Sequence, residues 1–378
     1  MTSAEGPAPS CFDVAVVGAG PAGAAATLEA MRLGLTVVLF ERGDERADKP
    51  CGEGIMPSGV ETLRALGLEA AVRDGRPFPG IRHLVPGARP LAIDLPSPGV
   101  AIRRPDLTAA FDAALREARG LVRVRADAMA EACASDAGER RFRLDAGPAG
   151  RFEARTLIAA DGAAGHGAPW LRGERRARRA SGRFGLRARF REGAPLDRVE
   201  VHMGRGCELY LTPLSGGLVN VVLLVEHAPA GVAGVDALLA WGLARHPAAA
   251  RHLGALATPP SGRSLARACP RSVAEGGAFL AGDAVGSVDP ILGCGITIAL
   301  RTGVAAAQGA HALLAGGEPR AVERAHAVAV RRECGARHLL ASLLRTGDAH
   351  PRLARAFVSV LGRTPRAARA LATIAGGR

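Results

Sequence analysis

Lysine is nearly missing from this 378-residue chain: of its 49 basic residues, Lys49 alone is not an arginine. Aromatic side chains are equally scarce, at 3%, with a single Tyr and two Trp. A formal net charge of +13 would suit a phosphate backbone if it were gathered on one face and interleaved with stacking rings. Instead the arginines run through every segment with acids between them, and three aromatic residues in all fall in the arginine-dense stretch from Trp170 to Arg191. That distribution argues against a nucleic-acid partner and fits arginine replacing lysine through codon bias. No apolar run approaches bilayer length, and Met1 to Ser10 lacks the basic start and apolar stretch of a secretory leader, so a cytoplasmic protein is expected. The seven cysteines are odd in number, scattered, and never spaced as C-x-x-C. Neither a disulfide framework nor a zinc site follows, and no metal is expected. The tail from Pro351 to Arg378 holds six arginines and no acid, a weak surface for membranes or partners.

What is present points to two domains, since 378 residues with 48% hydrophobic content can bury more than one core. Phe12 to Val17 is a short apolar run ending in Gly18-Ala-Gly-Pro-Ala-Gly23, followed by an alanine-rich segment and a second run, Thr36 to Phe40, that ends in Glu41. This is strand, tight turn, helix, strand. Gly18, Gly20 and Gly23 fit G-x-G-x-x-G, in which glycines permit the turn, the approach of a pyrophosphate and close helix packing. Glu41, with Arg42 beside it, stands where a carboxylate accepts hydrogen bonds from an adenine ribose and repels a 2′-phosphate, which suits FAD or NAD better than NADP.

The only lysine begins an unusual loop, Lys49-Pro-Cys-Gly-Glu-Gly-Ile-Met-Pro-Ser-Gly59. Ser58-Gly-Val-Glu61 has capping-box spacing, so a helix is expected to start at Ser58. Farther on, Val199 to Met203 and Cys207 to Pro213 read as a hairpin around Gly204-Arg-Gly206. Pairing Met203 with Cys207 would set Glu200 opposite Tyr210 and His202 opposite Glu208 on one polar face, either solvated or lining a pocket with an acid/base pair. Everything beyond Gly295 reads helical.

Further residues resemble the para-hydroxybenzoate hydroxylase superfamily of flavoproteins. Asp161-Gly162 follows a strand as that superfamily's Asp-Gly motif does. Gly282-Asp283, within Phe279-Leu-Ala-Gly-Asp-Ala-Val-Gly286, resembles its Gly-Asp motif, whose aspartate binds sugar or ribityl hydroxyls. Asp289-Pro-Ile-Leu-Gly-Cys-Gly295 resembles the turn that lays backbone amides beneath the isoalloxazine, through Pro290, Gly293, Cys294, Gly295 and Ile296. Arg104 matches an arginine near the flavin pyrophosphate. Lys49-Pro-Cys-Gly52 is similar to a loop of the geranylgeranyl reductase branch, with Glu53 where that branch has glycine and Tyr210-Leu-Thr-Pro213 in place of Tyr-x-Trp-x-Phe-Pro. The halogenase Trp-x-Trp-x-Ile-Pro motif cannot be formed, because the tryptophans are Trp170 and Trp241.

The resemblance implies an α/β flavoprotein: a discontinuous Rossmann-type FAD domain (11–75, 100–175, 264–315), an inserted antiparallel β-sheet substrate domain (76–99, 176–263) and C-terminal helices (316–378). It implies FAD as cofactor, NADH or NADPH as electron donor and a small-molecule substrate. Hydroxylation of an aromatic or polyketide-like compound is the leading expectation, reduction of a carbon–carbon double bond the alternative, and a basic membrane- or partner-binding flavoprotein the third. Catalytic candidates are Cys51, Glu53, His202 and Tyr210; Cys51 and Cys294 are either small residues packed against a flat ring or thiols facing it. Nothing in the sequence sets the oligomeric state.

Overall fold

The computed structural model describes residues 11–43, 48–134, 138–172, 179–227, 229–268, 270–286, 289–349 and 351–376. Residues 1–10 and part of the arginine-dense stretch, 173–178, lie outside the described residues.

The chain opens with β1 (Phe12–Val17), α1 (Pro21–Arg32) and β2 (Val37–Phe40). Pro21 suits the first helical position because its missing N–H would have no partner there. A two-residue strand, β3 (Gly54–Ile55), precedes α2 (Pro57–Ala65), α3 (Glu69–Asp74), β4 (Arg76–Leu84), β5 (Leu91–Ala101) and α4 (Arg104–Glu117). Next come β6 (Leu121–Val124), β7 (Met129–Ala134), β8 (Arg140–Asp145), β9 (Arg151–Ala159) and α5 (Pro169–Arg172). The strands β10 (Arg179–Glu192), β11 (Val199–Gly204), β12 (Cys207–Leu214) and β13 (Leu218–Val225) lead to α6 (Val235–Arg245) and β14 (Leu253–Arg267). After β15 (Ala274–Glu275) and β16 (Ala278–Leu280), the chain ends in α7 (Gly295–Leu314), α8 (Pro319–Ala349), α9 (Pro351–Arg363) and α10 (Pro365–Gly376).

Two sheets result. The first runs β15-β16-β9-β1-β2-β6, with the β7–β8 hairpin attached at β9. Its central β1 pairs in parallel with both β2 and β9, and its apolar residues are buried on both sides, as expected of a parallel sheet covered by helices. Helix α1 lies against α7 so closely that a Cβ at Gly303 would stand 2.2 Å from the Ala22 carbonyl oxygen. The second sheet runs β14-β10-β13-β12-β11-β4-β5-β3 and is antiparallel except where β11 meets β4. The α/β architecture expected from the sequence is the one observed. The end of the Lys49–Gly59 loop contributes β3 to the second sheet, paired with β5.

Two local expectations are corrected. Helix α2 has its N-cap two residues earlier than the capping box would place it, at Met56, with Pro57 in the first turn and no side-chain cap. The Ser58 hydroxyl is buried without a hydrogen-bond partner, so the capping box does not form. In the β11–β12 hairpin the loop holds two residues, Arg205 and Gly206, with Gly206 at φ 67°. Gly204 therefore pairs with Cys207, His202 with Leu209 and Val201 with Tyr210. This one-residue slip moves His202 and Glu200 to the sheet face opposite Tyr210 and Glu208.

Candidate active site

The turn between β1 and α1 is built for close approach. Gly18 has φ 98°, and a Cβ there would lie 2.6 Å from the Ala160 carbonyl oxygen. One at Gly23 would lie 1.7 Å from the Gly18 oxygen. At Gly20, the N-cap of α1, a Cβ would meet nothing within 4 Å. Two glycines thus serve packing, and the third opens space at the positive end of a helix, where a phosphate is stabilised. Glu41 reaches back to the same turn: its carboxylate accepts the Ala19 N–H at 2.7 Å and the Gly43 N–H at 2.7 Å. A cleft follows from there, lined by Ala19, Gly20, Glu41, Lys49, Arg104 and Thr108. The lone lysine therefore stands at the dinucleotide cleft and offers, with Arg104, positive charge for a pyrophosphate. Arg42 is exposed and lies 3.6 Å from Asp127.

At the far end, Gly282 takes φ 64° and donates its N–H to Thr302 Oγ1 at 2.9 Å. This turns Asp283 to an exposed position, open to hydroxyl groups of a ligand, while desolvation by the surrounding protein pushes its pKa up. Pro290 begins a short 3-10 turn, Gly293 has φ 62°, and Cys294 is the N-cap of α7. A Cβ at Gly295 would meet nothing within 4 Å, so the N-terminus of this twenty-residue helix is open to a flat ring and can stabilise negative charge on it. Ile296, next along, is buried in the helix-facing core. Cys294 is buried in a core cluster that also holds Cys334, and burial pushes its thiol up to about 11. Asp161 accepts the Gly167 N–H at 2.6 Å, and Gly162 has φ 81°; the motif ties down the 161–167 turn. The glycine cradles, the open helix ends and the paired acid and base groups fit FAD.

The loop between cleft and second sheet is fixed from the sheet side. Asn220 donates to the Cys51 carbonyl at 2.9 Å and Thr212 to the Gly52 carbonyl at 2.9 Å. Arg187 reaches Asp48 at 2.8 Å, and Arg189 grips Asp48 through two bonds of 2.7 and 2.9 Å. Arg189 also donates to Glu53, whose carboxylate accepts the Arg104 backbone N–H at 2.8 Å. Glu53 is the sole non-glycine residue with positive φ, 61°, among the described residues. The Cys51 thiol receives the Glu53 N–H at 3.4 Å; burial pushes its pKa up and nearby Arg104 pulls it back in part, which keeps it a thiol.

On the same sheet face, Arg183 bridges Glu208 at 2.7 Å and Asp289 of the turn before α7 at 2.6 Å. Tyr210 donates its hydroxyl to Glu208. Burial raises the Glu208 pKa despite the opposing Arg183 charge. Burial also holds Tyr210 well above the ordinary phenol value, and Glu208 adds to the effect. His202 is not part of this group: on the opposite face it bonds Glu200 at 2.9 Å, where Arg82 also pairs with Glu200 at 2.7 Å. Sequence reasoning missed Asp48, Arg183, Arg189, Thr212 and Asn220. The alternation of Arg183, Arg187 and Arg189 along β10 was the available signal, since period two puts all three on one face.

Residues 11–203 match the family model described as FAD binding domain. A menaquinone reductase of Mycobacterium tuberculosis is 30% identical over 324 residues, 78% of this chain and 76% of the relative. Two solved structures share the fold. A flavin-dependent brominase superposes with TM-score 0.78 at 19% identity, covering 97% of this chain and 93% of the brominase. A geranylgeranyl bacteriochlorophyll reductase-like protein from Thermoplasma acidophilum gives 0.74 at 20% identity, with 96% of each chain covered.

Proposed function

Because this chain belongs to the FAD-binding-domain family of flavin-dependent oxidoreductases, we propose that it is a reductase acting on a carbon–carbon double bond of an isoprenoid-bearing lipid, with a menaquinone-like quinone the first candidate. The observation that carries this reading is the seat of the reductase-like Lys49-Pro-Cys-Gly52 loop, clamped between the cofactor cleft and the second sheet by Arg189, Asn220 and Thr212. The relative matching over three quarters of the chain is also a reductase. Hydroxylation, the leading expectation from the superfamily, has the shared fold in its favour and stands second.

Bound FAD would supply the two-electron chemistry, and we assign its reduction to NADH or NADPH. The chain's own contribution is positioning and proton supply. Gly20, Lys49 and Arg104 would hold the pyrophosphate, Glu41 the ribose, and the α7 N-terminus the ring. Tyr210 would give its hydroxyl proton to the second carbon of the double bond, the Glu208 carboxylate would orient the phenol, and a proton taken up from solvent after turnover would restore it. Cys51, kept as a thiol, would pack at the ring edge.

The test is anaerobic incubation of FAD-loaded protein with NADH or NADPH and menaquinone, followed by mass spectrometry. A product heavier by two hydrogens is expected. Substrate-stimulated oxygen uptake with an oxygenated product would establish the hydroxylase reading instead.

A further inference from the structure

Among the described side chains from Arg324 onward, the exposed charge on the C-terminal helices is of one sign. From Arg324 to the C-terminus the sequence has eleven arginines against two acids, Glu333 and Asp348. Glu333 is buried and paired with Arg301 at 2.6 Å and Arg337 at 2.9 Å. Arg331, Arg332, Arg363, Arg366 and Arg369 are all exposed. Among the described side chains beyond Arg324, no acid is exposed beside them. The same helices hold three of the five exposed large hydrophobic residues described: Val328 at 60%, Leu339 at 65% and Val360 at 60%.

The inner sides of α9 and α10 pack on β5 of the second sheet, and that of α8 packs on α7. Leu361, Leu371 and Ile374 pack into the cluster that contains Val201, Met203 and Tyr210 on the flavin-facing side of the second sheet. Helix α10 lies along β5, and a Cβ at Gly376 would stand 3.7 Å from Pro57 and Pro96. The helices thus cover α7 and β5 with their inner sides, and their described exposed side chains are basic with isolated apolar residues among them. No helix of the described residues is long and apolar enough to cross a membrane. A basic helical face with interspersed apolar groups is suited to lie on anionic headgroups instead.

We propose that the outer face of α8, α9 and α10 docks on an anionic lipid bilayer and sets the substrate face beside it. The choice of a bilayer rests on the lipid-substrate reading, and the docking is measured without turnover. In the cosedimentation test, full-length FAD-loaded protein is mixed with phosphatidylcholine vesicles containing one-third phosphatidylglycerol, and with pure phosphatidylcholine vesicles. The protein should pellet with the former and be released by high salt. Replacing Arg331, Arg332, Arg363, Arg366 and Arg369 by Ser should lower the partition coefficient at least ~100-fold, about fivefold or less per arginine, with the melting temperature and FAD content retained. An equal charge loss at Arg73, Arg119, Arg125, Arg151 and Arg205 should change it by about twofold or less. If the control variant loses as much as the helix variant, the net charge of +13 is acting and the proposal falls. It also falls if the wild type stays in the supernatant with anionic vesicles, or binds RNA at the same salt as tightly as it binds them. Anionic binding without any lipid reduction would leave the docking standing and overturn the reductase reading; reduction of detergent-dispersed substrate without vesicle binding would do the reverse.

Discussion

Arg189 holds Glu53 in a backbone conformation that favours glycine. Glu53 sits at φ 61° with its carboxylate buried, and the Arg189 guanidinium on β10 bonds both of its oxygens. Against the desolvation that burial imposes, Glu53 and Asp48 keep Arg189 more firmly protonated than usual. The glycine of the reductase-branch loop is thus explained by geometry: the turn needs a left-handed residue. This chain accepts the strain of a side chain there and gains a clamp from the Lys49–Gly59 loop to the second sheet.

Glu53→Gly and Glu53→Ala separate strain from clamp. Both lose the carboxylate that faces Arg189, a loss softened because Asp48 still pairs with the guanidinium. Only Glu53→Ala keeps a Cβ at positive φ, which costs roughly 1–2 kcal/mol. Urea denaturation should show both variants destabilised, with Glu53→Ala the worse by about 1 kcal/mol. Equal stabilities would mean that the backbone relaxes and stores no strain.

Tyr210 is the one tyrosine of the chain, so tyrosinate absorbance reports it alone. Burial and Glu208 raise its pKa well above 10.0. The native state therefore keeps its proton where an unfolded chain would lose it, and stability should fall as pH rises beyond about 10. Glu208→Gln removes a negative charge and should move the phenol titration to lower pH, still above that of free tyrosine because burial is the larger cause. A titration identical to free tyrosine in the folded wild type would place the phenol in solvent and end its assignment as proton source.

Local patterns in the sequence carried the strand–turn–helix–strand start. Gly18, Gly20 and Gly23 lie within six residues and have strands on either side, so one turn fixes their roles. Register is less local. The β11–β12 hairpin could close with two or three loop residues, and that choice alone decides whether His202 shares a face with Tyr210. The buried clusters were beyond reach for another reason: Arg183 meets Glu208 across 25 positions and Asp289 across 106. Arginines that pair this way are indistinguishable in sequence from the solvated ones of an arginine-rich chain.

The cradle glycines should differ in what they break. Gly23→Ala puts a Cβ 1.7 Å from a backbone oxygen, with no flexible atom to yield, and should abolish soluble folding or lower the melting temperature by more than 10 °C, roughly 3 kcal/mol or more. Gly20→Ala adds a methyl to open space and should leave the FAD-free melting temperature within about 2 °C of the wild type. Its FAD affinity should drop about tenfold or more, because the methyl occupies the phosphate approach. Fluorescence titration with FAD decides it: unchanged affinity would move the pyrophosphate away from Gly20.

Acid stability should be governed by desolvated histidines before carboxylates. Burial, with the neighbouring His202, lowers His246 from 6.5 to about 4, and burial lowers His83 from 6.5 to about 4. Between those pH values the unfolded chain binds protons that the native state refuses, so stability falls as pH drops from about 6.5 to about 4, by at most about 1.4 kcal/mol per pH unit for each histidine. Glu200 acts lower. Burial would raise its pKa, but hydrogen bonds from His202 and Arg82 hold it from 4.5 down to about 2, so its contribution is intact above about 4.5 and is lost on the way to about 2. Denaturation midpoints measured from pH 7 to pH 4 should decline, and His246→Phe should remove about one proton from the slope over that range. A wild-type midpoint that stays flat down to pH 4.5 would mean that both imidazoles protonate within the folded protein.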